Sequence, residues 1–345
     1  MAERIRYVNT AAPTGGNGTT NGTGGADPNR AYASLDEALD AEEKDLVTAT
    51  DNYIFRCTGS SADTTSASLS STWATSATYD IVIEPNTGEY HSGTYNTGVY
   101  RIETTSGYGH GIELQYDGAE HVTIDSMQIY VQGANAKGMS SFLVGSAGGE
   151  ITIINNIVRG DTTGTAQHGI HIEGSAGNTF NIVNNVVYDC AQIGINRGSY
   201  WSSGNFYVYN NTVVSCGTGL AFGSGTATNR VYNNVLTDNT TDYSGGATPT
   251  SATNITSDAT SPDGASWRNI TVTYTNAGSD DYSTSDSDVV GQGTDMSSDT
   301  AYAFSTDCLG VTRSAWDCGA FEYQAPSGGS ANDEFYKLLL SGGDL

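Results

Sequence analysis

Reactive side chains crowd one stretch of the sequence, "QHGIHIEGSAG", where His168 and His171 lie three residues apart and Glu173 follows. Related positions elsewhere carry similar chemistry. Just before a recurring glycine stand His110, Lys137 and His168, and two residues after it stand Glu113 and His171. Arg197, Tyr200 and Trp201 come soon after another copy of that glycine. A lysine or arginine could act as base in an elimination, provided the substrate's charge is neutralised. Two carboxylates at a fixed separation could hydrolyse a glycosidic bond, with Glu173 set against Asp161 or Asp189, although neither aspartate has distinctive spacing. The plainer reading is two surface imidazoles and an aromatic pair packed over a loop. Glu113, Lys137, His168, His171, Glu173, Arg197, Tyr200 and Trp201 are therefore candidates for binding a glycan, and no catalytic set is assigned. No metal-ligand spacing is present and no cofactor is expected. Calcium is an option only at "GSDDYSTSDSD" (278–288), which lacks the EF-hand order and reads as a solvated loop.

The chain that must position these residues has 345 of them and a net charge of −25, with lysine limited to Lys44, Lys137 and Lys337. Such acidity excludes a nucleic-acid surface as the main activity and opposes a polyanionic substrate unless metal ions intervene. Abundant Gly, Ser, Thr, Asn and Asp suit short strands joined by turns. Five cysteines do not make a disulfide framework at this length. Cys190 and Cys216 end equivalent strands, as stacked thiols or as a bridge, and Cys308 and Cys318 could pair across a turn.

The strands repeat. Paired asparagines recur at Asn155–Asn156, Asn184–Asn185, Asn210–Asn211 and Asn233–Asn234, with an imperfect copy at Asp125–Ser126. A second column, Gly111, Gly138, Gly169, Gly194 and Gly219, keeps step with the first. Each unit reads as three short strands, as in "GIHIEG" (169–174), "FNIV" (180–183) and "VVYDC" (186–190), with Ile170 and Ile172 inward and His171 and Glu173 outward. One unit cannot bury its inward residues alone, so the units stack as an all-β, right-handed parallel β-helix. Between second and third strands the chain turns within about two residues, and one residue must be left-handed, which asparagine tolerates. An inward asparagine could bond its equivalent in the next coil, building a ladder through the stack.

This pattern resembles the right-handed parallel β-helix superfamily, the pectate-lyase-like fold, over roughly residues 50–245. "RYVNTAAPTGGNGT…ADPNRAYASLDEALD" is similar to the opening segment of many β-helix surface proteins. "VVGQGTD…FSTDCLGVTRSAWDCGAFEY" resembles the closing segment of the β-helix group called choice-of-anchor Q, found on bacterial surfaces and in phage virions. The resemblance implies a virion or surface structural protein of decoration, fibre or spike type. It would be a homo-oligomer, with a trimer favoured, whose partners would be other virion proteins, with a polysaccharide as an optional ligand. A polysaccharide lyase or glycoside hydrolase and a bacterial adhesin are the alternatives. Substrates of β-helix enzymes lie along the outer face near the first strand, where the candidates above cluster, but the acidic calcium ligands of pectate lyases are not apparent.

The ends complete the expectation. Ser34 and Glu37 form a capping box opening a helix through about Leu46, a lid on the first coil. Residues 1–50 then form the entry strand and cap, and 51–245 the β-helix. Residues 239–266 lose the register, and "WRNITVTYT" and "AWDCGAFEY" read as strands in a closing segment, 246–325. A hinge and hydrophobic tail, 326–345, carry Phe335, Tyr336, Leu338, Leu339 and Leu340 as attachment candidates. "MAERIRYVNT" has no apolar signal core, and no stretch reaches transmembrane length, so the expected location is a virion made in the cytoplasm, with the extracellular surface as alternative and no membrane insertion.

Overall fold

The glycine-led strands pair side by side, all parallel, into a seven-stranded first sheet that includes His110–Leu114, Lys137–Leu143, His168–Gly174, Ile193–Ser202 and Thr218–Phe222. The computed structural model describes residues 2–325 except 106–108, 116–119, 144–147, 163–166, 175–176, 203, 224–227 and 246–248. The second sheet has nine parallel strands, from Ala2–Asn9 to Thr250–Ala252, and the third has seven, from Ile102–Thr104 to Ile255–Thr256. The chain visits second, third and first sheets in turn, which is a right-handed parallel β-helix with three short strands per coil. Alternation decides what is inside: Met139, Ile170, Ile195 and Leu220 stack in one buried column. Phe180 and Phe206 stack in another, their centroids 4.8 Å apart.

The glycine column exists for space. A Cβ on Gly169 would lie 2.5 Å from the carbonyl oxygen of Gly194 and 2.4 Å from Val187 Cγ1. The same overlap recurs at Gly111, Gly138, Gly194 and Gly219, so the first sheet and the facing third sheet can close only over hydrogen atoms.

The asparagine pair divides its labour. The first of each pair is left-handed, with φ of 60° at Asn155, 55° at Asn184, 52° at Asn210 and 59° at Asn233. The second points inward and is fully buried. Asn156 donates through N and Nδ2 to Asn185 Oδ1, both at 3.0 Å, and Asn185 does the same to Asn211. Asn211 and Asn234 continue the chain of bonds to Asn254. Strand register corrects two details of the repeat. Ile154 lies beside Asp125, so Ser126 (φ 57°) matches Asn155 and Met127 matches Asn156. The register also persists beyond residue 239, because Thr253 (φ 59°) and Asn254 form a further rung between the last strands of the second and third sheets. The ladder ends at Asp263, whose Oδ2 accepts from Asn254 N at 2.6 Å and Nδ2 at 2.7 Å. A second left-handed corner, between third and first sheets, uses Asp189, Ser215 and Asp238.

At the N-terminal end the helix Leu35–Glu42 lies on the first coil, burying Leu35, Ala38 and Leu39. Ser34 caps it, accepting from Glu37 N at 3.1 Å, and a separate turn Leu46–Ala49 follows. Leu35 N also donates to Asp63 in the coil beneath, at 2.8 Å.

The segment after the last coil runs back along the asparagine corner as a clasp. Asn184 Nδ2 donates to Thr306 O (2.8 Å), Asn210 Nδ2 to Asp317 O (2.9 Å) and Asn233 Nδ2 to Thr294 O (2.8 Å). The outward asparagines are thus occupied as well. Buried Arg313 reaches Asn184 Oδ1 at 2.9 Å and lies 3.7 Å from Glu322. Met296 and Trp316 cover Val183 and Tyr209. "AWDCGAFEY" forms no strand, contrary to expectation. Its carboxylates bond loop amides instead: Glu322 accepts from Ser314, Ala315 and Asp317 N–H groups, which offers the backbone an alternative to a ladder. Of "WRNITVTYT" only the last two residues enter a strand, Tyr274–Asn276, which is antiparallel to Asp281–Thr284. All five cysteines are buried free thiols.

Candidate functional site

The first sheet brings four of the sequence candidates, Glu113, Lys137, His168 and His171, and their neighbours onto two outward rows. One row runs His110, Lys137, His168, and the other Glu113, Ser140, His171, Asn196. Neighbouring members of a row are one strand spacing apart, about 4.8 Å. Alternation places these side chains opposite the apolar columns, and the glycine between the rows keeps the inner side closed.

Within the cluster the contacts are specific. His110 Nε2 is 3.6 Å from Glu113 Oε1. The His168 and His171 rings lie 5.0 Å apart. Asn196 Nδ2 is 2.8 Å from His171 Nδ1, and His171 Nε2 is 3.3 Å from Glu173 Oε1. Because a carboxylate only accepts, Nε2 carries the proton and Nδ1 accepts from the Asn196 amide. Asn196 therefore fixes the tautomer, and His171 holds Glu173 in place.

Electrostatics follow from crowding. Burial pushes His168 down to about 3, helped by His171 and Lys137. Burial also lowers His110 and His171, the latter against its hydrogen bond to Glu173. Lys137 is lowered by burial, with Glu173 and Glu113 pulling the other way. The imidazoles are therefore neutral at neutral pH, and the ammonium loses its proton more readily than an exposed lysine does.

Arg197 does not belong to this face. It stands in the inward column, paired with Ile172 and Phe222. Its guanidinium lies 5.4 Å from the Phe206 ring centre and 5.7 Å from that of Phe222, and donates to Asn229 Oδ1 at 2.9 Å and to Gly223 O. The side chain is a core member, held by cation–π contacts and two carbonyl oxygens, while its buried Nε has no hydrogen-bond partner. Tyr200 and Trp201 lie on the strand Ile193–Ser202, but their side chains are outside the described residues, as are Phe335, Tyr336, Leu338, Leu339 and Leu340. Asp161 Oδ2 accepts from Gln132, and Asp189 lies 3.9 Å from Arg159 on the third sheet, so neither aspartate faces Glu173 across the first. Among the described residues no three His, Cys, Asp or Glu side chains are placed to hold a metal ion. In 278–288, Asp280 meets Arg159 at 3.4 Å, and Asp281 and Asp286 bond their own loop.

A concavity of about 400 Å³ lies on the outer face of the second sheet between Asp80, His121, Asp125, Glu150 and Tyr302. Sequence reasoning had no access to it, since Tyr302 arrives from the clasp. Part of its polar lining is already engaged: Asn155 donates to Asp125, and Asn181 donates to Glu150 and Thr152. The first-sheet cluster, with its oriented carboxylate and partly buried amine, has more capacity for proton transfer.

Sheets and site together define a right-handed parallel β-helix with a polar cluster on the first sheet. No family model matches the chain, and no curated protein matches it in sequence. Among solved structures it is similar to a crystal structure of pectate lyase Pel9A, at 16% identity and a TM-score of 0.37, over 94% of this chain and 97% of that one. That likeness is too distant to carry an argument about the site, and the fold rests on the strand pairing itself. No described helix is long and apolar enough to cross a membrane.

Proposed function

We propose that the protein engages a polysaccharide along the outer face of its first sheet, and that the face cleaves the chain it binds. The supporting observation is the relay Asn196–His171–Glu173 beside Lys137. It places a fixed carboxylate and an amine of lowered basicity on one face, where one group can take a proton and the other give one. Glu173, held by His171, takes or returns a proton, and Lys137 or Glu113 supplies the complementary group. The test is incubation with a glycan panel, measuring new reducing ends for hydrolysis and unsaturated ends for elimination. Glu173→Gln should abolish turnover with binding retained. Turnover unchanged in that variant refutes the assignment.

A second reading is a display rod of a virion or cell surface that holds glycans without cutting them. Its support is the clasp, which ties the last coils back toward the first and suits a stiff, load-bearing stalk. Glycan binding with no new chain ends favours this reading.

A further inference from the structure

The charge of the first-sheet face bears on which sugar chain it takes, granted that it takes one. Lys137 supplies one formal positive charge there, and Glu113 and Glu173 supply two negative ones. The three imidazoles add none at neutral pH, since burial keeps each of them unprotonated. The guanidinium of Arg197, on the same sheet, is turned into the core between Phe206 and Phe222 and donates to Asn229 and Gly223. The face is thus negative by one charge on a chain whose net charge is −25. A polyuronate brings one carboxylate per sugar, and each would sit against this field, with no arginine fork and no group of three metal-ligating side chains among the described residues to receive it. An uncharged sugar brings hydroxyl groups, which suit what is present. The carboxylates accept from hydroxyls and Asn196 lies at the edge. Ser140, in the row between Glu113 and His171, is almost completely buried with a hydroxyl oxygen that has no partner. An unsatisfied buried hydroxyl is costly, and a ligand hydroxyl would satisfy it.

We infer that the polysaccharide on this face is built of uncharged sugars and that acidic glycans are excluded by Glu113 and Glu173. The inference rests on the polysaccharide reading above and can fail separately from it. The full chain is tested for binding to galactan, xylan and glucan, and to polygalacturonate and alginate, at low salt, where electrostatics are least screened. At least one uncharged polymer should bind tenfold or more tighter than either acidic one. The doubly substituted Glu113→Gln, Glu173→Gln protein should narrow that gap by at least tenfold, with a folded circular-dichroism spectrum. Tighter binding of polygalacturonate or alginate by the unmodified chain overturns the inference and leaves the polysaccharide reading standing. A gap unmoved by the double substitution also overturns it, because exclusion would then not come from these carboxylates. Binding to no member of either class overturns both.

Discussion

Replacing Asn185 by alanine tests the ladder at its middle. The side chain is fully buried and makes four hydrogen bonds. Its Oδ1 accepts from Asn156 N and Nδ2, each at 3.0 Å, and its Nδ2 donates to Ile153 O at 2.9 Å and Asn211 Oδ1 at 3.0 Å. Two partners keep another bond after the change: Asn156 Nδ2 still reaches Ile124 O, and Asn211 Oδ1 still accepts from the backbone of residue 185. The Asn156 N–H loses its acceptor inside the core. An orphaned buried donor costs about 1–3 kcal/mol, and the weakened bonds add a smaller amount, so the expected loss is about 2–4 kcal/mol. Equilibrium urea unfolding, followed by circular dichroism and by tyrosine and tryptophan fluorescence, should show a lower midpoint with an unchanged slope. A loss below about 0.5 kcal/mol, with both probes coincident, would mean that water or a shifted neighbour replaces the amide and that the ladder is not a source of stability.

Three further outcomes follow from other contacts. Gly169→Ala forces a Cβ to within 2.5 Å of a backbone carbonyl, so it should cost about 3 kcal/mol or more or prevent folding, visible as a lowered Tm or insoluble chain. Arg313→Leu leaves Asn184 Oδ1 and Glu322 without their cation; unpairing a buried charge typically costs about 3–5 kcal/mol, and proteolysis should cut residues 289–322 before the sheets. The folded chain holds His168 neutral down to about 3, whereas the unfolded chain protonates it near pH 6.5, so its contribution is present above pH 6.5 and lost as pH falls. Between pH 6.5 and 4.5 this amounts to at most about 2.7 kcal/mol, and His168→Gln should flatten the fall in urea midpoint over that window; an identical slope in the two proteins would refute it.

What the sequence displayed and what it concealed divide along physical lines. The asparagine corner was legible because every coil imposes the same left-handed requirement and the same inward amide, and few residue types meet either. Which asparagine did which was hidden, since both members of the pair are the same residue. The corner through Asp189, Ser215 and Asp238 was illegible because serine interrupts the two aspartates and no fixed residue pair marks the φ angle they share. The rung at Thr253–Asn254 escaped notice for a related reason: threonine takes the left-handed place and the interval shrinks. Arg197 misled because a charged side chain in an apolar column reads as a break in the pattern, while Phe206 and Phe222, which accommodate it, are recognisable only in three dimensions. The row Glu113, Ser140, His171 was readable from alternation alone. Its relay was not, because the partners of His171 come from both its own strand and the next. The clasp depends on pairs such as Asn184 and Arg313, which no local periodicity connects.

The ladder has a direction. Every asparagine donates toward the C-terminal neighbour and accepts from the N-terminal one, so a stack of such amides would always present two free donors at its leading end, open to one more coil. Asp263 closes that end because a carboxylate accepts both donors and has none to pass on. In the vocabulary of polymers it is a chain terminator written into the sequence, while every rung before it is a propagating unit. The length of the rod is therefore not a property of the repeat. Coils inserted ahead of Asp263 would lengthen the rod and leave its end sealed, whereas an amide at that one position would still accept both donors but leave its own two without a rung to receive them.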